Sequence, residues 1–206
     1  MANMTDSDDQ KEAIYRMFSP LALKIANPYL DEEEIAVTEI MSNIDSTNLI
    51  VIGGGYLKYL PIAAQYSKRY IVIDNHLSIF INDSIKYLLN SNPNIALINK
   101  KYEDLRSADL PSNNSLYIFT FNVISYINDP VYHIKRLIKK GDVVFISSWN
   151  PGAQTIFEKY TNHVFNTTNH PKIDIDLFVQ HCRQEALNVT RIEGTTIDIT
   201  IIRNGG

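Results

Sequence analysis

Apolar positions recur along the chain with two different periods, and the period changes from segment to segment. In residues 10–26, Ile14, Met17, Phe18, Leu21 and Ile25 fall three and four apart, which places them on one face of a helix. Pro20 interrupts this run and predicts a kink or two short helices. Asn27-Pro28 reads as a turn, after which Asp31-Glu32-Glu33-Glu34 opens a second helix carried by Ile35, Ala36, Ile40, Met41 and Ile44. Carboxylates in a first turn suit the positive end of the helix dipole, so these four acids read as a helix start and not as a metal site.

From residue 48 the texture is different. Residues 48–53, Asn-Leu-Ile-Val-Ile-Gly, form an unbroken apolar and β-branched run, the pattern of a strand covered on both faces. Gly54 and Gly55 follow, then a predicted helix over 56–66. Residues 69–74, Arg-Tyr-Ile-Val-Ile-Asp, repeat the strand pattern and end in an acid. A helix over 77–90, a weaker strand over 95–99 and a strand over 116–121 come next. A helix over 130–140, closed by Gly141, and a strand over 142–147 complete the alternation. This order predicts an α/β fold with a Rossmann-like, doubly wound and mostly parallel sheet. After Asn150-Pro151-Gly152 come a short helix over 154–160, a polar loop over 161–171 and a helix over 173–186. The alternating runs at 188–193 and 196–203, joined around Gly194, predict a C-terminal antiparallel hairpin and bring the sheet to seven strands. Residues 1–47 are then an N-terminal helical cap or lid belonging to the same domain as residues 48–206.

Composition narrows the classes. The chain has 206 residues, a net charge of −4, 45% hydrophobic and 20% charged residues, which fits one globular domain with a sizeable core. Cys182 is the single cysteine, which excludes an internal disulfide and fits a reducing compartment. The first ten residues are polar and acidic, and no apolar run approaches the ~20 residues that span a bilayer, so a cytoplasmic protein is expected. Mild acidity argues against nucleic acid as a partner, and Lys135, Arg136, Lys139 and Lys140 read as compensation of a helix dipole. His133, His163, His170 and His181 lack metal-ligand spacing, and no metal is expected. Cys182 sits on a helix face and reads as packing.

The candidate chemistry lies at strand ends. Gly53-Gly54-Gly55, between a strand and a helix, lets the backbone approach a ligand closely where the helix offers free N–H groups. Asp74 ends the next strand, where an acid in such sheets accepts hydrogen bonds from ribose hydroxyls. A dinucleotide fits imperfectly, because Lys58 stands where its fingerprint needs a third glycine.

The arrangement resembles the class I S-adenosylmethionine-dependent methyltransferases. Residues 49–57 resemble that family's first motif and 70–74 its second, and Tyr102-Glu103-Asp104-Leu105 resembles the segment lining the adenine. Residues 116–127 and 130–147 resemble the fourth strand, its helix and the fifth strand, and 189–203 the closing hairpin. The resemblance implies S-adenosyl-L-methionine as cofactor, approached by Gly53, Gly54 and Gly55. Asp74 would hold the ribose with Asn75 beside it, and Tyr102 and Glu103 would flank the adenine. It further implies that Asn122 touches cofactor and acceptor, that Tyr126 and Tyr15 serve catalysis, and that Phe18 and Trp149 bind substrate. Two positions depart from the family: Val51 stands where the first strand usually has an acid, and Leu57 where the loop has its last glycine. The loop is also faintly similar to those of spermidine-synthase-like and nicotianamine-synthase-like relatives. The expected activity is methylation of a small polar molecule. Attack at the cofactor's γ-carbon with release of methylthioadenosine, and a non-catalytic cofactor-binding scaffold, are the alternatives. A homodimer stays open.

Overall fold

The computed structural model describes residues 8–54, 57–66, 68–77, 81–111, 114–167 and 171–204. Two helices come first, α1 (Asp8–Met17) and α2 (Pro20–Asn43). Then follow β1 (Asn48–Ile52), α3 (Leu60–Gln65), β2 (Arg69–Ile73), α4 (Asp83–Ser91), β3 (Ile95–Ile98) and β4 (Ser115–Phe119). The chain continues through α5 (Pro130–Leu137), β5 (Val143–Trp149), α6 (Gln154–Phe165), α7 (Ile175–Gln184), β6 (Asn188–Glu193) and β7 (Ile197–Arg203). The seven strands lie in the order β3-β2-β1-β4-β5-β7-β6. β1 to β5 are parallel, while β7 runs antiparallel to both β5 and β6.

Period-two alternation along the buried strands sorts the core into two layers. Ile50, Ile52, Tyr117, Phe119, Val144 and Ile146 face α5 and α7, which present Val131, Ile134, Phe178 and Cys182. Leu49, Val51, Tyr70, Val72, Ile118 and Phe145 face the opposite layer, where α2 contributes Tyr29, Val37, Ile40 and Met41. Ala22 and Ala26 of α2 meet Tyr160 and Val164 of α6 in a smaller cluster, small residues allowing the two helices to approach closely.

The N-terminal region has the break expected at Pro20 but not the turn expected at Asn27-Pro28. The break falls at Ser19, whose hydroxyl caps α2 by accepting the Ala22 N–H, with Pro20 at the first helical position, where a missing N–H costs nothing. α2 then runs straight through Asn27-Pro28, because Pro28 is exposed and the carbonyl it leaves unpaired can be hydrated. Asp31 to Glu34 therefore lie in mid-helix, and two of these acids have long-range partners. Glu32 accepts the Thr195 and Thr196 N–H groups, both at 2.7 Å, and so fastens the β6–β7 turn. Glu33 is buried beneath the ends of β4 and β5. α6 also extends to Phe165, past the expected end at 160, because Val164 has α2 to pack against. The helix expected over 56–66 is shorter, spanning Leu60–Gln65, and the one expected over 77–90 is seen as α4; Gly55, Tyr56, 78–80 and His170 lie outside the described residues. Among the described residues no helix is long and apolar enough to cross a membrane.

Candidate functional site

The C-terminal ends of the parallel strands open into two adjoining cavities, each of about 400 Å³. They meet at the boundary between β1 and β4, where the strand order reverses direction and open α/β sheets bind ligands.

The first cavity lies over β1, β2 and β3. Gly53, Asp74, Asn75, Tyr102 and Glu103 line it, together with Ile14 and Met17 from α1 and Phe18 just after it. Gly53 has φ +72°, a conformation that favours glycine. Asp74 Oδ1 accepts the His76 N–H at 2.7 Å, which fixes the carboxylate at the strand end. Asn75 is exposed, with its side-chain nitrogen 3.2 Å from His76 Nε2. Tyr102 packs edge to face on Phe119 with ring centroids 4.9 Å apart. Its hydroxyl is buried without a hydrogen-bond partner, and burial drives its pKa above the normal phenol range. Glu103 accepts the Asn128 N–H at 3.4 Å.

The second cavity lies over β1, β4 and β5. Gly53, Gly54, Asn122, Tyr126 and Trp149 line it, and so do Phe121, Phe157 and Tyr160. Gly53, Val123, Tyr126, Met17, Phe18 and Phe165 belong to both cavities. A Cβ on Gly54 would meet Val51 Cγ1 at 2.4 Å, so the valine that replaces an acid in β1 packs directly under the loop.

The end of β4 is strained. Phe121 and Asn122 both have left-handed φ, +47° and +62°, which costs non-glycine residues about 1–2 kcal/mol each. Glu33 holds this turn. Its Oε1 accepts the Phe121 N–H at 2.7 Å and the Ser147 hydroxyl, and its Oε2 accepts the Tyr59 hydroxyl at 2.5 Å. Lys58 Nζ stands 3.8 Å from both Glu33 and Glu34. Burial and the Glu33 charge together push the Tyr59 pKa far up. Asn122 is 4% exposed, accepts the Ser125 hydroxyl at 2.8 Å and reaches the Pro171 carbonyl at 3.4 Å. Its amide is thus engaged in holding the turn.

Thus Gly53, Gly54, Asp74, Asn75, Tyr102, Glu103, Asn122, Tyr126, Phe18 and Trp149 line one or both of the two adjoining cavities. Tyr15 does not join them: it is 66% exposed and lines neither cavity, because the helical turn that points Ile14 and Phe18 inward rotates it out. Gly55 lies outside the described residues. Glu33, Lys58, Tyr59, Val123 and Tyr160 were not singled out for the site by the sequence reading. Glu33 and Tyr160 reach the site only through the packing of α2 and α6, while Lys58 and Tyr59 lie in the loop before α3 and Val123 directly follows Asn122. Among the described residues no group of three metal-ligating side chains occurs.

The strand order and the antiparallel β7 give a Rossmann-like α/β fold, which the chain shares with solved methyltransferase structures. No protein-family model and no curated protein sequence matches the chain. Solved structures match it at low identity. A candidate methyltransferase of Thermobifida fusca is 12% identical with a TM-score of 0.66, over 96% of this chain and 88% of that one. A candidate S-adenosyl-L-methionine-dependent methyltransferase of Methanococcus maripaludis is 16% identical with a TM-score of 0.63, over 100% of this chain and 98% of that one. An O-methyltransferase family protein of Burkholderia thailandensis is 14% identical with a TM-score of 0.63, over 89% of this chain but only 58% of the longer relative.

Proposed function

We propose that the protein is an S-adenosyl-L-methionine-dependent methyltransferase acting on a small molecule. The observation that carries this reading is the pair of cavities joined across Gly53 and Val123, one with a carboxylate at the end of β2 and the other walled by aromatic rings. The fold shared with methyltransferases of known structure supports it.

The residues of the first cavity fit an adenosyl group. Asp74 would offer a fixed carboxylate to the ribose hydroxyls, the chain at Gly53 would come close without a side chain, and Tyr102 and Glu103 would flank the adenine. Bound there, S-adenosyl-L-methionine supplies an electrophilic methyl on a sulfonium and is left as S-adenosyl-L-homocysteine. The chain's own task is then to align a nucleophile and to exclude water. Tyr126, Met17, Phe18 and Phe165 line both cavities, and Asn122 lines the second. Size sets the acceptor class: about 400 Å³ is near the lower end of the ~300–1,000 Å³ range of small-molecule pockets. The apolar lining, with Leu23, Leu30, Phe121 and Trp149, favours an acceptor with an apolar body over the small polar one expected from the sequence.

Calorimetric titration with S-adenosyl-L-methionine, S-adenosyl-L-homocysteine, methylthioadenosine and NAD tests the reading. Micromolar binding of the homocysteine product and none of NAD is expected. Failure of every adenosyl compound to bind overturns the proposal, and a preference for methylthioadenosine redirects it to γ-carbon chemistry.

A further inference from the structure

The second cavity is mostly apolar, and its charges are unevenly spent. Among the described residues that line it, only Glu33, Glu34 and Lys58 are charged. Glu33 is committed to the fold: it is 1% exposed, and its oxygens take the Phe121 N–H and the Ser147 and Tyr59 hydroxyls. Lys58 and Glu34 are not. The Lys58 ammonium has three N–H donors, and one goes to the Leu30 carbonyl at 3.0 Å. The Glu33 and Glu34 carboxylates stand 3.8 Å from it, an ion-pair distance that is too long for a hydrogen bond. Among the described residues the Glu34 carboxylate accepts no hydrogen bond. Both side chains reach open space, Lys58 with 24% and Glu34 with 59% of its surface exposed.

The loop after β1 brings this ammonium to the strand end. The Leu57 N–H donates to the Gly54 carbonyl at 2.9 Å, and Leu57 takes φ +53°, so the chain turns back sharply and lays Lys58 against α2. A left-handed leucine is costly and persists only where its surroundings hold it.

β1 itself offers no charge here. Val51 is fully buried, and its side chain fills the space under Gly54. A charged group drawn into such a lining must meet a counter-charge, and Lys58 and Glu34 supply one of each sign. A zwitterion matches that pair. S-adenosyl-L-methionine and S-adenosyl-L-homocysteine both end in one, an α-carboxylate and an α-ammonium on the same carbon, whereas methylthioadenosine has neither.

We propose that Lys58 receives the α-carboxylate of the cofactor's amino-acid tail and Glu34 its α-ammonium, a pair that stands in for the acid β1 lacks. The inference rests on the methyltransferase reading: with the adenosyl group in the first cavity, the tail passes Gly53 into the second, and Phe157, Tyr160 and Phe165 remain for the acceptor. Lys58 and Glu34 thereby select the complete cofactor over its truncated thioether.

Calorimetric titration tests this without turnover. The ligands are S-adenosyl-L-homocysteine, methylthioadenosine, and the decarboxylated analogue of S-adenosyl-L-homocysteine, which keeps the ammonium and lacks the carboxylate. The proteins are the wild type, Lys58→Met, Lys58→Arg and Glu34→Gln, with thermal unfolding run on each. In the wild type S-adenosyl-L-homocysteine is expected to bind at least about tenfold tighter than methylthioadenosine, a comparison that needs no variant. Lys58→Met should lose about tenfold for S-adenosyl-L-homocysteine and stay within about twofold for the other two ligands, and Lys58→Arg should keep most of the affinity. Glu34→Gln should weaken S-adenosyl-L-homocysteine and the decarboxylated analogue about threefold and leave methylthioadenosine unchanged. Wild-type binding of S-adenosyl-L-homocysteine no tighter than that of methylthioadenosine overturns this inference alone. So does an equal loss for both ligands in Lys58→Met, which would make Lys58 a prop of the loop, or no loss for either. Unchanged affinities in Glu34→Gln overturn the ammonium half. Failure of all three ligands to bind the wild type overturns the methyltransferase reading as well.

Discussion

Gly53 and Val123 touch across the ridge that separates the two cavities: a Cβ on Gly53 would lie 2.3 Å from Val123 Cγ2. The contact also joins the ends of β1 and β4, the two strands between which the winding of the sheet reverses. Gly53→Ala meets both this overlap and a φ of +72°, and is expected to cost about 2–3 kcal/mol of stability and at least tenfold in S-adenosyl-L-homocysteine affinity. Val123→Ala in the same background relieves the overlap but not the backbone strain, so partial recovery is expected. Denaturant unfolding and calorimetry read the two effects. Wild-type affinity in Gly53→Ala would remove the ridge from the site.

Asp74→Asn separates ligand binding from local structure. The asparagine oxygen can still accept the His76 N–H that the carboxylate takes at 2.7 Å, so the turn survives. The charge-assisted hydrogen bonds to a ribose are lost, which corresponds to about 10- to 100-fold weaker binding. Calorimetry should show that loss with an unchanged melting temperature. A drop in melting temperature without a loss of affinity would make Asp74 a structural residue.

Glu33→Ala takes the acceptor from the Tyr59 hydroxyl and leaves the Phe121 N–H only Ser147 Oγ at 3.1 Å and the Ser147 hydroxyl only the Phe119 carbonyl at 3.3 Å, next to two residues in left-handed conformations. Loss of about 3 kcal/mol is expected, which lowers the melting temperature of a chain this long by roughly 6–12 °C. Ser147→Ala removes one donor and should cost about 1 kcal/mol. Similar melting temperatures for both variants would show that the carboxylate does not hold the turn.

The two aromatic residues of the first helical segment should separate. Phe18→Ala is expected to weaken S-adenosyl-L-homocysteine binding severalfold, because Phe18 lines both cavities. Tyr15→Ala should leave affinity within about twofold, because an exposed side chain loses little on truncation. The reverse order would mean that α1 seats differently over the bound ligand.

Cys182 offers a probe of folding. Burial in the α7 layer raises its thiol pKa to about 12, so at neutral pH almost none is the reactive thiolate. A disulfide reagent should label it only as fast as the protein opens, with the rate rising steeply in denaturant. Rapid labelling under native conditions would show that α7 detaches locally.

The sheet was legible because buried strands announce themselves: residues 48–53 and 69–74 carry short, unbroken, β-branched runs of the kind found in strands covered on both faces. Asp74 and the glycines were legible for the same reason, since a strand's end can be read wherever the strand can. The acids of α2 were not. Four successive carboxylates look like a helix start, and their true partners, Thr195, Thr196, Tyr59 and Ser147, lie far away in sequence. Pro28 strengthened the wrong reading, because proline inside a helix is tolerated only where the freed carbonyl meets water, and exposure is a tertiary property. Tyr160 escaped although it lies in the helix expected over 154–160, because its partners Ala22 and Ala26 belong to α2, far away in sequence.

The clasp between Glu32 and the β6–β7 turn bears on how the chain comes off the ribosome. Its two sides are 163 and 164 positions apart, so α2 emerges long before the amides that engage Glu32 exist. β7 arrives equally late, yet it lies between β5 and β6 and closes the open edge of the parallel strands. During synthesis the nascent chain must therefore carry an exposed β5 edge and an unclasped α2 until nearly the last strand has been translated. Aggregation and proteolysis of the unfinished chain should concentrate in that interval, and slowing of translation ahead of residue 188 would lengthen it.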